Sequence, residues 1–312
     1  MEVMMRAATV ADCSTVQRIV DSHQLTLDPD EKRFGEAEAL QVINGFIEPA
    51  MTRLIRIDAA HDWESFLSIN PDNSRLRAYL DIYVVPGSEL LPVTFDTALR
   101  LACEEFPSYR LWLGVHAKDV EYQRLLARRG FSLLRKYWAM EVALREVTQN
   151  NLPRGAKIRE IDLRNDDDVL AYWRVHQDSF SRHFGFAPRK LKAWTEMVRR
   201  DQAEVNMRVW MLNVDGHDAG FVDCDDSMIH EGCGFVSGLG VRHAFQGRGF
   251  GEALLRFAMN QNQELGREKV VLSVDTGNES GALRLYEKVG MKPISEWHQY
   301  ENMDWTGEVR RR

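Results

Sequence analysis

Apolar and polar positions change period repeatedly along the chain, and each change marks an element. Residues 3–8 read as a strand. Thr9 can cap a helix to about Val20, with Asp12 in its first turn and Val16, Ile19 and Val20 on its apolar face. A second helix follows over 34–47. Residues 54–57, 63–69 and 76–85 read as strands parted by Asp, Asn and Pro turns. The spacing predicts a helix over 95–106, a strand over 111–115, a helix over 120–129 stopped by Gly130, and closing strands over 131–144. The stretch 148–155 is polar and without period, and after it the order starts again. A strand is expected over 157–161 and helices over 166–180 and 188–200, with Pro188 at a first helical position. A hairpin over 209–214 and 219–224 turns at Asp215-Gly216. A central strand covers 235–241. Phe250, Leu254, Phe257, Ala258 and Leu265 then recur at helical spacing. A strand over 270–274, a helix over 278–289 stopped by Gly290, last strands over 291–303 and a basic tail at 307–312 complete the chain. Both halves run strand, helices, three strands, helix, strand, helix, closing strands. That is a duplicated domain of mixed α/β class, divided as 1–147, a linker over 148–155, and 156–312.

Composition changes this picture little. A length of 312 residues suits two domains, and 44% hydrophobic residues suit ordinary cores. The net charge of -7 gives no general attraction to nucleic acid or anionic lipid. Cys13, Cys103, Cys224 and Cys233 form no C-x-x-C pair, which reads as reduced thiols in a cytoplasmic protein and neither a disulfide frame nor a zinc site. No apolar run approaches membrane-spanning length, and the N-terminus lacks the regions of a signal peptide.

The candidate chemistry lies at the end of the central strand, in Gln246-Gly247-Arg248-Gly249-Phe250-Gly251. Strand, glycine turn and helix succeed each other there. The first amides of a helix have no partner inside it, and the positive end of its dipole points the same way. Together they suit phosphate oxygens. A P-loop would need Gly-Lys-Ser/Thr, but Glu252 and Ala253 follow Gly251. A dinucleotide fingerprint would need a third glycine where Glu252 stands.

Residues 241–251 resemble the Q/R-x-x-G-x-G/A signature of the GNAT superfamily of N-acetyltransferases. Residues 278–291 resemble a second segment of that family, N-x-x-A-x-x-x-Y-x-x-x-G-F, through Asn278, Ala282, Tyr286 and Gly290, with Met291 in place of Phe. The likeness spans about 157–303. It implies two tandem GNAT-like domains, each a mostly antiparallel splayed sheet flanked by helices. It implies acetyl-coenzyme A as cosubstrate, no metal, and transfer of the acetyl group to a primary amine of a small molecule by direct attack in a ternary complex. By resemblance the amides of Gln246, Gly247, Arg248, Gly249, Phe250 and Gly251 hold the pyrophosphate. Leu239, Gly240 and Val241 run beside the pantetheine arm, the backbone near Val241 supports the oxyanion, and Tyr286 protonates the leaving thiolate. Asn278 joins the cofactor site, on nearly the same helical face as Tyr286. Taken alone, Asn278 reads as a helix cap and Tyr286 as a half-buried aromatic; beside the glycine turn the family reading prevails. Glu231 is the candidate base, with Asp223, Asp225 and Asp226 as alternatives from the same acidic region.

The first half departs from the pattern. Its counterpart of the glycine turn, 87–94, holds Pro92, which lacks an amide, and Glu89, which carries the wrong charge. Lys118 falls opposite Asn278 and Leu126 opposite Tyr286. The first domain is therefore expected to do no chemistry. A non-catalytic acyl-coenzyme A sensor and acetylation of a protein amine are the alternative functions.

Overall fold

The computed structural model describes residues 3–29, 33–45, 49–146, 152–278 and 281–302. Part of the expected linker, 148–151, and the basic tail, 307–312, lie outside the described residues. In chain order the first elements are β1 (Met4–Arg6), α1 (Cys13–Leu27), α2 (Glu36–Asn44), β2 (Met51–Arg56), β3 (Ser65–Asp72) and β4 (Arg77–Val84). Then come α3 (Leu91–Glu105), β5 (Arg110–His116), α4 (Val120–Arg128) and β6 (Ser132–Ala143). The second series is β7 (Ala156–Glu160), α5 (Asp166–Phe180), α6 (Leu191–Val205), β8 (Arg208–Val214), β9 (His217–Asp225) and β10 (Cys233–Val241). It ends with α7 (Phe250–Glu264), β11 (Lys269–Asp275), α8 (Ala282–Lys288) and β12 (Lys292–Glu301).

These elements form two compact units, one of residues 1–136 with 295–312 and the other of residues 137–294. In the first, β1, β2, β3 and β4 pair antiparallel in sequence, and β4 pairs parallel with β5. One face of this sheet packs on Phe95, Ala98, Leu101 and Ala102 of α3, with Leu125 and Leu126 of α4. The other packs on Val16, Ile19 and Val20 of α1 and Val42 and Ile43 of α2. Every residue of β3 is buried, because helices cover both faces.

In the second unit β7, β8, β9 and β10 pair antiparallel in sequence, and β10 pairs parallel with β11. Phe250, Leu254, Leu255 and Ala258 of α7 cover one face. Val169, Tyr172 and Val175 of α5 and Trp194 and Val198 of α6 cover the other. Each large apolar side chain buried this way stabilises the unit by roughly 1.5–3 kcal/mol. The expected β8–β9 hairpin forms, with positive φ at both Asp215 and Gly216, the handedness a two-residue turn between twisted strands needs.

Each unit is closed by a strand that the sequence order assigns to the other half. β12 pairs with β5 in the first unit, from Trp297↔His116 to Glu301↔Trp112. β6 pairs with β11 in the second, from Ala143↔Lys269 to Tyr137↔Asp275. The spatial units therefore cut the chain at 136/137 and 294/295, away from the polar stretch at 148–155.

Helix starts differ from expectation in several places: α3 begins at Leu91 instead of 95, α1 at Cys13 after a short 3-10 turn over Val10–Asp12, and two more lie in the second unit. α6 begins at Leu191, beyond Pro188, because both backbone groups of Arg189 are tied to α5: its amide donates to Gln177 Oε1 at 3.1 Å and its carbonyl accepts from Trp173 Nε1 at 2.8 Å. α8 begins at Ala282 with Gly281, at φ 80°, as its N-cap. Asn278 sits in a turn, its amide donating to the Asp275 carbonyl at 3.1 Å, and lies outside α8, whose cap is Gly281. The expected groups of closing strands over 131–144 and 291–303 are single long strands, β6 and β12.

Candidate active site

β10 and β11 are paired only from Cys233↔Lys269 to Val236↔Leu272. Beyond that point β10 follows β9 to Val241↔Gly220, and β11 follows β6 to Asp275↔Tyr137. The parallel strands part. A bulge between Val236 and Gly238 marks the place, as bulges commonly do where pairing ends. On the side of β10 that faces α7, Leu239 and Val241 pack with Tyr286, Ala282 and Leu285. On the opposite side glycine lets neighbouring side chains pack directly against the strand. A Cβ on Gly240 would stand 2.4 Å from Ser179 Oγ, and one on Gly238 would stand 2.5 Å from Asp223 Oδ2.

The loop leaving β10 is closed by Gln246, whose Nε2 donates to the Val241 carbonyl at 3.0 Å. Gly247 and Gly249 adopt φ of 73° and 80°, and a Cβ on either would meet nothing within 4 Å. The first helical hydrogen bond runs from Ala253 N to Gly249 O. Among the described residues no acceptor takes the amides of 247–252. This is an open, positively poled cradle, and its donor set fits a phosphate or pyrophosphate. The Arg248 guanidinium lies over the Phe250 ring at 4.9 Å. Phe250 itself is buried in the core, so it offers the cradle only its amide. Gly251 has a packing role as well: a Cβ there would stand 3.3 Å from Leu285 on α8.

Tyr286 is 8% exposed, and burial pushes its phenol up to about 12. Its hydroxyl has no hydrogen-bond partner among the described residues. Asp223 stands opposite Gly238 at the parting of the strands. It is 3% exposed, accepts from Tyr172 Oη at 2.5 Å and from the Ser237 side chain, and is pushed up to about 6 by burial. The other acids lie elsewhere. Glu231 is exposed, on the short turn that precedes β10. The nine residues of β10 rise about 3.3 Å each, so Glu231 and the glycine loop sit at opposite ends of the strand. Asp225 caps its own loop by accepting from Ser227, and Asp226 pairs with Arg267 at 2.6 Å.

Several residues near the site had no signal in the sequence. Tyr172 looks like one more apolar position of α5, yet its hydroxyl holds Asp223. His176 stacks on Phe180 at 4.6 Å with the planes 9° apart, and burial pushes it down to about 3. His183, also lowered by burial, lies 4.4 Å from Phe180 and in the field of Asp275 and His243. Asp178, near the end of α5, accepts from the His243 amide at 3.1 Å and pairs with Arg242 at 3.3 Å. Thus α5 is fastened to the start of the glycine loop. Among the described residues no helix is long and apolar enough to cross a membrane, and no group of His, Cys, Asp and Glu could hold a metal ion.

Parted parallel strands with an open amide cradle at their end suit a cosubstrate that carries phosphates, and the similar proteins point to the same region. Residues 168–291 match the family model described as Acetyltransferase (GNAT) family. The match falls within the unit 137–294 and places a GNAT acetyltransferase domain there, so the chain is an acetyltransferase by class. It is 28% identical over 223 residues to a mycothiol acetyltransferase of Actinosynnema mirum, covering 70% of this chain and 71% of that one. It shares its fold with a GCN5-related N-acetyltransferase from Sphaerobacter thermophilus, at a TM-score of 0.79 and 20% identity over 96% and 95% of the two chains. It shares it also with a tandem GNAT protein from the clavulanic acid biosynthesis pathway, at a TM-score of 0.74 and 14% identity over 96% and 98%.

Proposed function

We propose that this chain transfers the acetyl group of acetyl-coenzyme A to a primary amine of a small molecule, by direct attack in a ternary complex, with the chemistry in the unit 137–294. The observation that carries this reading is the parting of β10 from β11 beside the unpaired amides of 247–252. Those amides and Arg248 take the pyrophosphate. The freed backbone of Leu239, Gly240 and Val241 takes the amides of the pantetheine arm as an added strand would. Asn278, in the turn after β11, lies on the cofactor side by analogy with the family motif. The mycothiol acetyltransferase relatives support a small-molecule amine as acceptor. The four cysteines, none in a disulfide, suit a cytoplasmic setting.

The acceptor amine arrives as an ammonium with a pKa of roughly 10 and must lose a proton before it attacks. Asp223 takes that role in place of Glu231. It is buried, stands at the parting of the strands, and is held by Tyr172 and Ser237 at a proton affinity near the working pH. It receives the proton directly or through one water. As the C–N bond forms, backbone amides near Val241 stabilise the oxyanion. As the C–S bond breaks, Tyr286 gives its proton to the departing sulfur. Burial keeps that phenol protonated at neutral pH.

The unit 1–136 with 295–312 is proposed to do no acetyl transfer. Leu126, fully buried, falls opposite Tyr286 when the halves are aligned on Gly130 and Gly290, and Pro92 near the start of α3 gives no amide. Calorimetric titration with acetyl-coenzyme A tests the whole reading. One site per chain is expected, abolished by Gly249→Glu, with coenzyme A released on addition of amines from a panel. Two sites would overturn the assignment of the first unit. Binding without release across the panel would favour the sensor reading.

A further inference from the structure

The first unit has its own parting of parallel strands. β4 and β5 pair only from Arg77↔Arg110 to Tyr79↔Trp112, yet they run on to Val84 and His116. The cleft between them is lined by His23, Asp81, Tyr83, His116, Tyr122 and Trp297. Its free space is about 10 Å³, room for one water-sized group. Asp81 and Tyr83 are half-buried, so the cleft is reached from solvent.

The lining has more acceptors than donors and lacks a cation. Asp81 Oδ2 accepts from Ser68 Oγ at 3.2 Å and Asn70 Nδ2 at 2.9 Å. Its Oδ1 has no partner, and no Lys or Arg pairs with it among the described residues. A carboxylate held in so narrow a cleft ordinarily has a cation or a full set of donors beside it. Lys118, the basic residue nearest in sequence to this lining, is engaged by Asp28 at 2.8 Å. His23 is engaged by Asp119 at 3.2 Å. The buried hydroxyl of Tyr122, which is 3% exposed, has no hydrogen-bond partner among the described residues, and Nε2 of His116, which is 5% exposed, has only the Asp28 carboxylate at 4.0 Å. His116 Nδ1 accepts from the Lys118 amide at 3.2 Å, and burial holds the ring neutral, so Nε2 carries its proton and cannot serve as the missing cation.

We propose that this cleft binds the ammonium head of a small primary amine, which donates to Asp81 Oδ1 and to the phenol oxygens of Tyr83 and Tyr122. An ammonium is water-sized, carries the missing charge and has three donors. A guanidinium or quaternary ammonium exceeds the space, and an anion would face Asp81. The site uses no residue of the acetyl-transfer reading and stands independently of it.

The test uses the full chain labelled with 5-fluorotryptophan. Trp297 lies edge-on to His116 at 5.3 Å and reports on the cleft; its fluorine signal is assigned with Trp297→Phe. Methylammonium chloride, titrated at constant ionic strength, is expected to move that signal saturably in the wild type and in Gly249→Glu, while potassium and tetramethylammonium chloride do not. Asp81→Asn is expected to weaken the response at least about tenfold, the usual worth of a charge-assisted hydrogen bond. Tyr122→Phe serves if Asp81→Asn does not fold. It removes a buried unpaired hydroxyl, so it is expected to melt higher without amine and to gain less from methylammonium than the wild type. The proposal is overturned by the absence of a saturable shift, which would mean an ordered water only. It is equally overturned by an equal response to potassium, or by a shift that Asp81→Asn and Tyr122→Phe leave unchanged.

Discussion

Gly238 and Asp223 act as one feature. The missing Cβ of the glycine leaves room for the carboxylate at the parting of the strands, and Tyr172 holds that carboxylate from beneath. Asp223→Asn is expected to lower kcat by about 10²–10⁴-fold, the usual worth of a general base, with acetyl-coenzyme A affinity unchanged by calorimetry. Gly238→Ala should do the same without altering charge, because its Cβ would stand 2.5 Å from Oδ2. The wild-type rate is expected to rise with pH through about 6, where Asp223 ionises. Tyr172→Phe removes a donor that favours the ionised form, so this limb should move to higher pH. Stability runs the other way. Asp223 binds its proton more tightly folded than unfolded, so its contribution is most favourable below the ordinary carboxylate range and is lost as pH rises through about 6. The melting temperature of the wild type should therefore fall relative to Asp223→Asn over that window. Tyr286→Phe should lower kcat with little change in cofactor affinity, which steady-state kinetics separates from binding.

At the scale of elements, the turn from β10 into α7 was legible residue by residue. Alternating glycines after an apolar strand leave few conformations, and Gly247 and Gly249 adopt the left-handed ones. Gly249→Ala meets no neighbour, but it forces φ near 80° on a residue with a Cβ, at a cost of about 1–2 kcal/mol. A lower melting temperature and weaker acetyl-coenzyme A binding are expected, measurable by thermal denaturation and calorimetry. The start of α8 was not legible. Asn278 is a good cap by type, but it lies in a turn with Asp275 and the cap of α8 is Gly281. The start of α6 was hidden in the same way, since the bonds that hold Arg189 extended come from α5.

At the scale of the molecule, the exchange of closing strands decides what can be separated. A fragment of residues 156–312 lacks β6, which covers the edge of β11, and carries β12 without β5. Exposed strand edges invite association, so this fragment is expected to aggregate. A fragment of residues 137–294 keeps the paired part of β6 and is expected to be the more soluble and to unfold cooperatively. Size-exclusion chromatography and thermal circular dichroism compare the two. A monomeric, cooperatively folded 156–312 would show that β12 can close its own half.

The sequence alone determined the order of elements, the mixed α/β class, the internal duplication and the glycine cradle, because these depend on local period, turn chemistry and unpaired helix amides. It also singled out Tyr286 and the loss of its counterpart at Leu126. Only the tertiary structure decided which strand closes which unit, because ladder hydrogen bonds join backbones and leave little trace in side-chain pattern. It likewise sets the acids apart by their surroundings. Glu231, Asp223, Asp225 and Asp226 are alike in type and close in sequence, but burial, the Tyr172 hydroxyl and the gap at Gly238 come together around Asp223 alone, and all of these depend on segments far apart in the chain.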